Sequence, residues 1–259
     1  MMLFIDAGNT RIKWAAAEAG AQLGAWSSFG SVAHEQLAQL ALAWRDLRIG
    51  RTVASNVAGA GVRASLEQIL SSVVDGGAPP VAWFASSPAC AGLRNGYRQA
   101  QQLGSDRFAS AIGARALFPE RALLVVTCGT ATTIDAVSAD GVFTGGMILP
   151  GLKLMAASLA RGTAQLPEVV AQGERLPLFA DNTEEAIVSG CISAHAGAIE
   201  RAFAGLARLC PGESIQCIVS GGAGALICAH LAIPCVHVDN LVLLGLQTAA
   251  PQLLPTSPC

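Results

Sequence analysis

A chain of 259 residues, 52% hydrophobic and only 13% charged, has the material for a large buried core under a thin polar skin. Its formal net charge of -2, with no Lys/Arg cluster, leaves no electrostatic footprint for nucleic acid. No stretch of about twenty apolar residues lacks charges or breakers, which argues against a membrane span. The N-terminal apolar run breaks at Asp6 with no basic region before it, so it does not read as a signal peptide. The eight cysteines form no C-x-x-C pair and have no His partner at zinc spacing. Most lie in apolar runs and read as small reduced core residues of a cytoplasmic protein, with Cys259 a terminal thiol of no implied role.

The first predicted element is a buried strand at residues 2–5, with Ala16 and Ala17 in its return strand. Gly8-Asn9 is a turn signal, so Asp6, Ala7, Gly8, Asn9, Thr10, Arg11, Ile12 and Lys13 form a hairpin tip. Glycine lets the backbone approach a phosphate, and the tip amides can cradle it. Asp6, at the strand end, is placed to hold a hydrated Mg²⁺. The plainer reading is a tight hairpin whose Asp and Asn serve only the turn.

Further along, a third strand is expected at 23–29, a helix at 34–47, a strand at 51–57, a helix at 62–74, a Gly/Pro loop at 76–80 and a strand at 81–85. Strands alternating with helices predict a layered α/β domain. A polar, turn-rich stretch at 93–98 holds the single tyrosine, Tyr97, and leads through Gly104-Ser105-Asp106-Arg107 into an Ala-rich helix ending near 117. Residues 119–121 are the expected boundary between domains 1–119 and 120–259.

The second half opens as the first does, with an apolar strand, a Gly/Thr tip and an apolar return strand over 123–137. Gly129 follows Gly8 at an offset of 121 (129 minus 8), which aligns Asp6 with Thr127. The echo predicts two related domains, each offering a hairpin tip to a cleft between them. A strand is expected at 145–151, a helix at 152–159, and a long helix at 184–209 capped by Asn182 or Thr183. A strand at 215–219 then leads into Ser220-Gly221-Gly222-Ala223-Gly224, with a helix to about 231, a short strand at 236–238, a final helix and a Pro-rich tail. The turns at Gly8, Gly129 and Gly221 together point to a nucleotide, the last lying against adenosine or serving only strand-to-helix packing.

Ser105 and Asp106 read either as an N-cap with a first-turn acid, or as a carboxylate held ready to orient an attacking alcohol and accept its proton. Arg107 is a helix-surface cation or a donor to an acidic substrate. His34, His195, His230 and His237 are scattered and read as surface or satisfied core residues. Asp135 and Asp239, at expected strand ends, read as turn residues or as supports for a Mg²⁺ site.

Asp6-Ala7-Gly8-Asn9-Thr10 with Lys13, Gly104-Ser105-Asp106-Arg107, Gly129-Thr130-Ala131-Thr132-Thr133-Ile134-Asp135 and Gly145-Gly146-Met147-Ile148-Leu149-Pro150-Gly151 together resemble type III pantothenate kinase, in order across nearly the whole chain. The resemblance implies two ribonuclease-H-like domains of the actin-like ATPase, acetate and sugar kinase superfamily, with an interdomain nucleotide cleft. It implies ATP-dependent phosphorylation of pantothenate to 4'-phosphopantothenate, the first step of coenzyme A biosynthesis. ATP phosphates would lie on residues 6–13 with Thr130 on the facing tip, Mg²⁺ on Asp6, and pantothenate on Tyr97, Gly104, Ser105, Asp106 and Arg107. Asp106 would be the catalytic base. Thr183 would reach the substrate from the partner subunit of a homodimer. A monovalent cation, K⁺ or NH₄⁺, is also implied, but Thr127 stands where the family has an Asp ligand. Two rivals share the fold. One is a non-catalytic regulator, as the family's naming as Bvg accessory factors implies. The other is a phosphatase, which would need a water-positioning acid and no acceptor motif.

Overall fold

The computed structural model describes residues 1–74, 81–169 and 177–254. The predicted loop at 76–80, Cys259 and the end of the Pro-rich tail fall outside them. The chain forms two compact units, residues 1–117 with 240–259 and residues 118–239.

The first unit begins with β1 (Met2–Ala7), β2 (Arg11–Ala17) and β3 (Ser28–Ala33). It continues with α1 (Gln39–Trp44), β4 (Arg51–Asn56), α2 (Ala60–Val73), β5 (Val81–Phe84), the small hairpin β6 (Ala89–Cys90) and β7 (Leu93–Asn95), and α3 (Ser105–Leu117). Its five-stranded sheet runs β3-β2-β1-β4-β5. Alternation sends Leu3, Ile5, Ile12 and Trp14 to one face, where they pack with Leu40, Trp44, Leu66 and Leu70. Trp14 and Trp44 meet edge to face, with centroids 6.1 Å apart.

The second unit holds β8 (Ala122–Cys128), β9 (Ala131–Val137), β10 (Val142–Pro150), α4 (Leu152–Gly162), α5 (Thr183–Leu209), β11 (Ile215–Ser220), α6 (Gly224–Cys228) and β12 (Cys235–His237). Within it the strand order is β12-β11-β8-β9-β10. Both units therefore place the first strand between an antiparallel neighbour (β2, β9) and a parallel one (β4, β11). The short echo read between the two hairpins thus extends to the whole sheet. Asn182 caps α5, its Oδ1 accepting the Glu185 N–H at 3.0 Å.

The last helix, α7 (Leu241–Leu253), packs on α3 and on β1, β2 and β4, so it belongs with the first unit and not with the half that precedes it. It is apolar nearly all round because it lies between α3 and the sheet. At the α3–α7 contact a Cβ on Gly113 would come within 2.5 Å of the Leu241 carbonyl, and one on Gly245 would be driven into the Ala109 carbonyl.

Several expected elements move. The third strand is at 28–33, not 23–29, because pairing with β2 runs from Ala16↔Ser28 to Arg11↔Ala33. Residues 23–26 are held by Gln247 instead, whose Oε1 accepts from the Gly24 N–H and the Trp26 indole at 3.0 Å each. The helix expected at 34–47 shortens to a 3₁₀ turn at His34–Gln36 followed by α1. Asp135 lies inside β9, buried, and is no strand-end residue. The cysteines among the described residues are all free, and five of them are buried. Among the described residues, no helix is long and apolar enough to cross a membrane.

Candidate active site

The polar end of the first unit's sheet follows from strand alternation. With Leu3, Ile5 and Ala7 on the Trp44 face, Phe4 and Asp6 face α3 and α7. Asp6 pairs with Lys13 on β2 and with Ser55 on β4, so three polar residues line up across adjacent strands. Ser55 is fully buried, and its hydroxyl lies 2.8 Å from that of Ser105, the first residue of α3. That contact ties the start of α3 to the strand ends.

The α3 start carries the next functional group. Asp106 lies in its first turn, and its Oδ1 accepts the Arg107 N–H at 2.8 Å. The carboxylate folds over Gly104, where a Cβ would come within 2.7 Å of Oδ1; the glycine leaves that space open. Asp106 is close enough to Asp6 for its charge to be felt. Asp6's pKa is raised to about 7, first by loss of solvation and then by the Asp106 charge, with Lys13 opposing. Arg107 is buried and donates from Nη1 to the Tyr97 hydroxyl at 2.9 Å, its guanidinium 5.8 Å from the ring centroid. Tyr97 is held in turn by its N–H donating to Asn95 Oδ1 at 3.0 Å.

The structure thus brings Asp6, Lys13, Tyr97, Gly104, Ser105, Asp106 and Arg107 together in one unit. Ala7 and Ile12 are fully buried core residues, which leaves the exposed Asn9 and Thr10 and the half-buried Gly8 as the accessible tip. Arg11 is engaged across the sheet, donating to the Ser31 hydroxyl at 2.8 Å. Ser55 was missed by sequence reasoning; its one signal was a serine ending an apolar strand, in Val53-Ala54-Ser55-Asn56. His195, within α5, and His230, just past α6, bond carbonyls four residues back, at 2.8 and 2.9 Å, in keeping with structural roles.

In the second unit the positions of Asp6, Lys13 and Ser55 are taken by Thr127, Thr133 and Ser220, all neutral. The Gly129-Thr130 turn is held on two sides. The Gly151 N–H donates to the Thr130 carbonyl at 2.9 Å, and a Cβ on Gly221 would come within 2.5 Å of the Cys128 carbonyl. Gly221 has φ +93°, and the turn it makes carries the Ala223 N–H to the same Cys128 carbonyl at 3.2 Å. Thr130 is exposed at the tip, and Thr183 is exposed at the start of α5, on the rim of an open groove lined by Met155, Leu159, Leu166, Ile187 and Cys191.

Asp6 and Asp106 are the carboxylates that would face a Mg²⁺ ion. Among the described residues no three His, Cys, Asp or Glu side chains gather as a metal cage. Two neighbouring carboxylates without a cage suit Mg²⁺, which keeps waters and shares phosphate oxygens. Asp6, whose pKa the Asp106 charge helps to raise, would gain from a cation beside it. For K⁺ or NH₄⁺ the second tip offers neutral oxygens only, Thr127 lacking the carboxylate, and the fit there is poor.

The architecture recurs in solved structures. A conserved putative Baf family transcriptional activator from Campylobacter jejuni is similar with a TM-score of 0.62 and 17% identity, over 96% of this chain and 98% of that one. A putative 2-dehydro-3-deoxygalactonokinase from Sinorhizobium meliloti gives 0.59 and 16%, over 99% and 100%. Likeness at these identities is of fold alone, the two-sheet α/β arrangement described above. Residues 2–205 match the family model of type III pantothenate kinase, and the chain belongs to that family. Type III pantothenate kinases from Herminiimonas arsenicoxydans and from Janthinobacterium sp. (strain Marseille) are each 55% identical, over 99% of this chain and 100% of theirs. One from Cupriavidus taiwanensis is 45% identical over 96% and 97%.

Proposed function

We propose that the chain transfers a phosphoryl group from ATP to the primary hydroxyl of pantothenate, giving 4'-phosphopantothenate, the first step of coenzyme A biosynthesis. The observation that carries the reading is the pairing of Asp6 with Asp106 beside Lys13, at the end of one sheet and next to the Tyr97–Arg107 pair. Bound Mg²⁺ and ATP supply the activated phosphoryl group. Around them, the tip beyond Gly8 presents the Asn9 N–H, Lys13 adds positive charge, and Asp6 is the anionic ligand. Asp106 orients the alcohol and takes its proton. The buried Arg107, held by Tyr97, binds the pantothenate carboxylate.

The expected assay result is ADP release that depends on pantothenate. With Thr127 in place of a carboxylate, the rate should change little when K⁺ or NH₄⁺ replaces Na⁺. ADP release indifferent to pantothenate would overturn the reading.

The working unit in this reading is a homodimer in the cytoplasm, with no role for nucleic acid or membrane. Thr183 sits on an apolar groove of about 530 Å³, and Leu178 and Phe179, just before α5, are 67% and 90% exposed. Exposed apolar surface of this kind is what a second copy would cover. Sedimentation equilibrium should give twice the chain mass; a monomer at all concentrations would remove Thr183 from the site.

A pH prediction follows from Asp6. Its folded pKa lies above its unfolded one, so the folded chain binds the extra proton between about pH 4 and 7. Ligand-free stability should therefore fall as pH rises through that window and level off above it. The full effect is at most about 4 kcal/mol, lowered by solvent because Asp6 is partly exposed. Asp6→Asn should flatten the curve and raise the melting temperature at pH 8 while abolishing turnover. Parallel curves for wild type and variant would refute the assignment.

A further inference from the structure

We propose that His34 is a positioning residue that aims the nucleotide-binding turn of the first unit; the proposal rests on the kinase reading above. His34 is the first residue after β3, and its Nε2 lies 2.8 Å from the Gly8 carbonyl. A carbonyl only accepts, so Nε2 carries the hydrogen and donates it. The Gly8 N–H is also held, donating to the Arg11 carbonyl at 3.2 Å. In a planar trans peptide the Gly8 C=O and the Asn9 N–H point in opposite directions. Fixing the carbonyl toward His34 therefore turns the Asn9 N–H away from it, at the exposed tip where a phosphate oxygen is to be received.

The second unit holds its own tip from the same position, though at the carbonyl of Thr130 rather than of Gly129, the counterpart of Gly8. Ala33 pairs with Arg11, the first residue of β2, and Pro150 pairs with Ala131, the first residue of β9. His34 and Gly151 thus hold equivalent positions, one residue past the third strand of each sheet. Gly151 donates its N–H to the Thr130 carbonyl at 2.9 Å and packs so tightly there that a Cβ would come within 2.7 Å of that oxygen. A donor at this position grips a tip carbonyl in both units, through the backbone in one and through an imidazole in the other. The turn gripped by His34 is the one flanked by Asp6 and Lys13, where a misaimed amide costs most.

The test compares His34→Gln, whose amide nitrogen reaches about as far as Nε2, with His34→Asn, one methylene too short. Binding of a non-hydrolysable ATP analogue with Mg²⁺ is measured by calorimetry, alongside KM for each substrate, kcat and the melting temperature. His34→Asn should weaken the analogue and raise KM for ATP about tenfold, the worth of one hydrogen bond of about 1.4 kcal/mol, with KM for pantothenate unchanged. His34→Gln should match wild type. Should His34→Asn not fold, Asn9→Pro, which removes the aimed N–H, must give the same selective loss. The proposal is overturned if His34→Asn or Asn9→Pro binds like wild type, if a folded His34→Gln is as weak as His34→Asn, or if both KM values rise while kcat falls. A wild type that binds the analogue but forms no phosphopantothenate overturns the kinase reading and leaves the His34 comparison standing. One that binds no nucleotide overturns both.

Discussion

Asp106→Asn should fold, bind ATP and pantothenate within a few-fold of wild type, and turn over about 10²–10⁴ times more slowly. Asparagine has the same shape, and its Oδ1 can still accept the Arg107 N–H that the carboxylate accepts at 2.8 Å. It cannot take a proton from the attacking alcohol. A second readout separates this role from a bland one. Because the Asp106 charge helps raise the Asp6 pKa, its removal should let Asp6 ionise at lower pH and move the pH dependence of Mg²⁺ binding the same way. Were Asp106 only a first-turn acid facing the helix dipole, the variant would lose about 0.3–1 kcal/mol of stability and keep its rate. Wild-type turnover by Asp106→Asn, checked by steady-state kinetics, would remove it from the chemistry.

The second large effect is structural. Gly245→Ala should destabilise the chain by about 3 kcal/mol or more, a fall of roughly 6–12 °C in melting temperature. The added methyl would meet the carbonyl, carbonyl carbon and Cα of Ala109, all backbone atoms that no rotamer change can move aside. Relief requires α3 and α7 to separate, and α3 carries Ser105, Asp106 and Arg107. Residual folded protein should therefore also show reduced kcat, since displacements of about 1 Å cost up to 10²-fold. Gly197→Ala is the control. It lies mid-helix in α5, and its new methyl would find nothing within 4 Å, so it should stabilise by about 1 kcal/mol. Thermal melts of the two variants should move in opposite directions; equal shifts would contradict the packing argument.

Which features were legible in the sequence depended on whether their cause was local. The tips at Gly8 and Gly129 follow from apolar runs broken by turn residues, and both hairpins stand where the pattern put them. Gly104 and Asp106 were legible as a motif, though the reason for the glycine, the carboxylate folded over it, shows only in the folded chain. What failed had distant causes. Residues 23–26 look like a strand, but Gln247 holds them as a loop from more than 200 positions away. The periodicity of α7 shows a helix and cannot say which unit it joins; its Gly245 fits it to α3. Ser55 and His34 were passed over because each acquires its meaning from a partner, Ser105 and Gly8, that only the folded sheet brings near.

The proposed chemistry moves phosphate from ATP onto an alcohol at the Asp6–Asp106 end of the first sheet. Its most direct test is ³¹P NMR of the wild-type chain with ATP, Mg²⁺ and pantothenate, repeated with Asp106→Asn. Wild type should give a new phosphomonoester resonance growing in step with ADP, and the variant almost none in the same time. Inorganic phosphate alone, or a phosphomonoester formed equally fast by the variant, would contradict it.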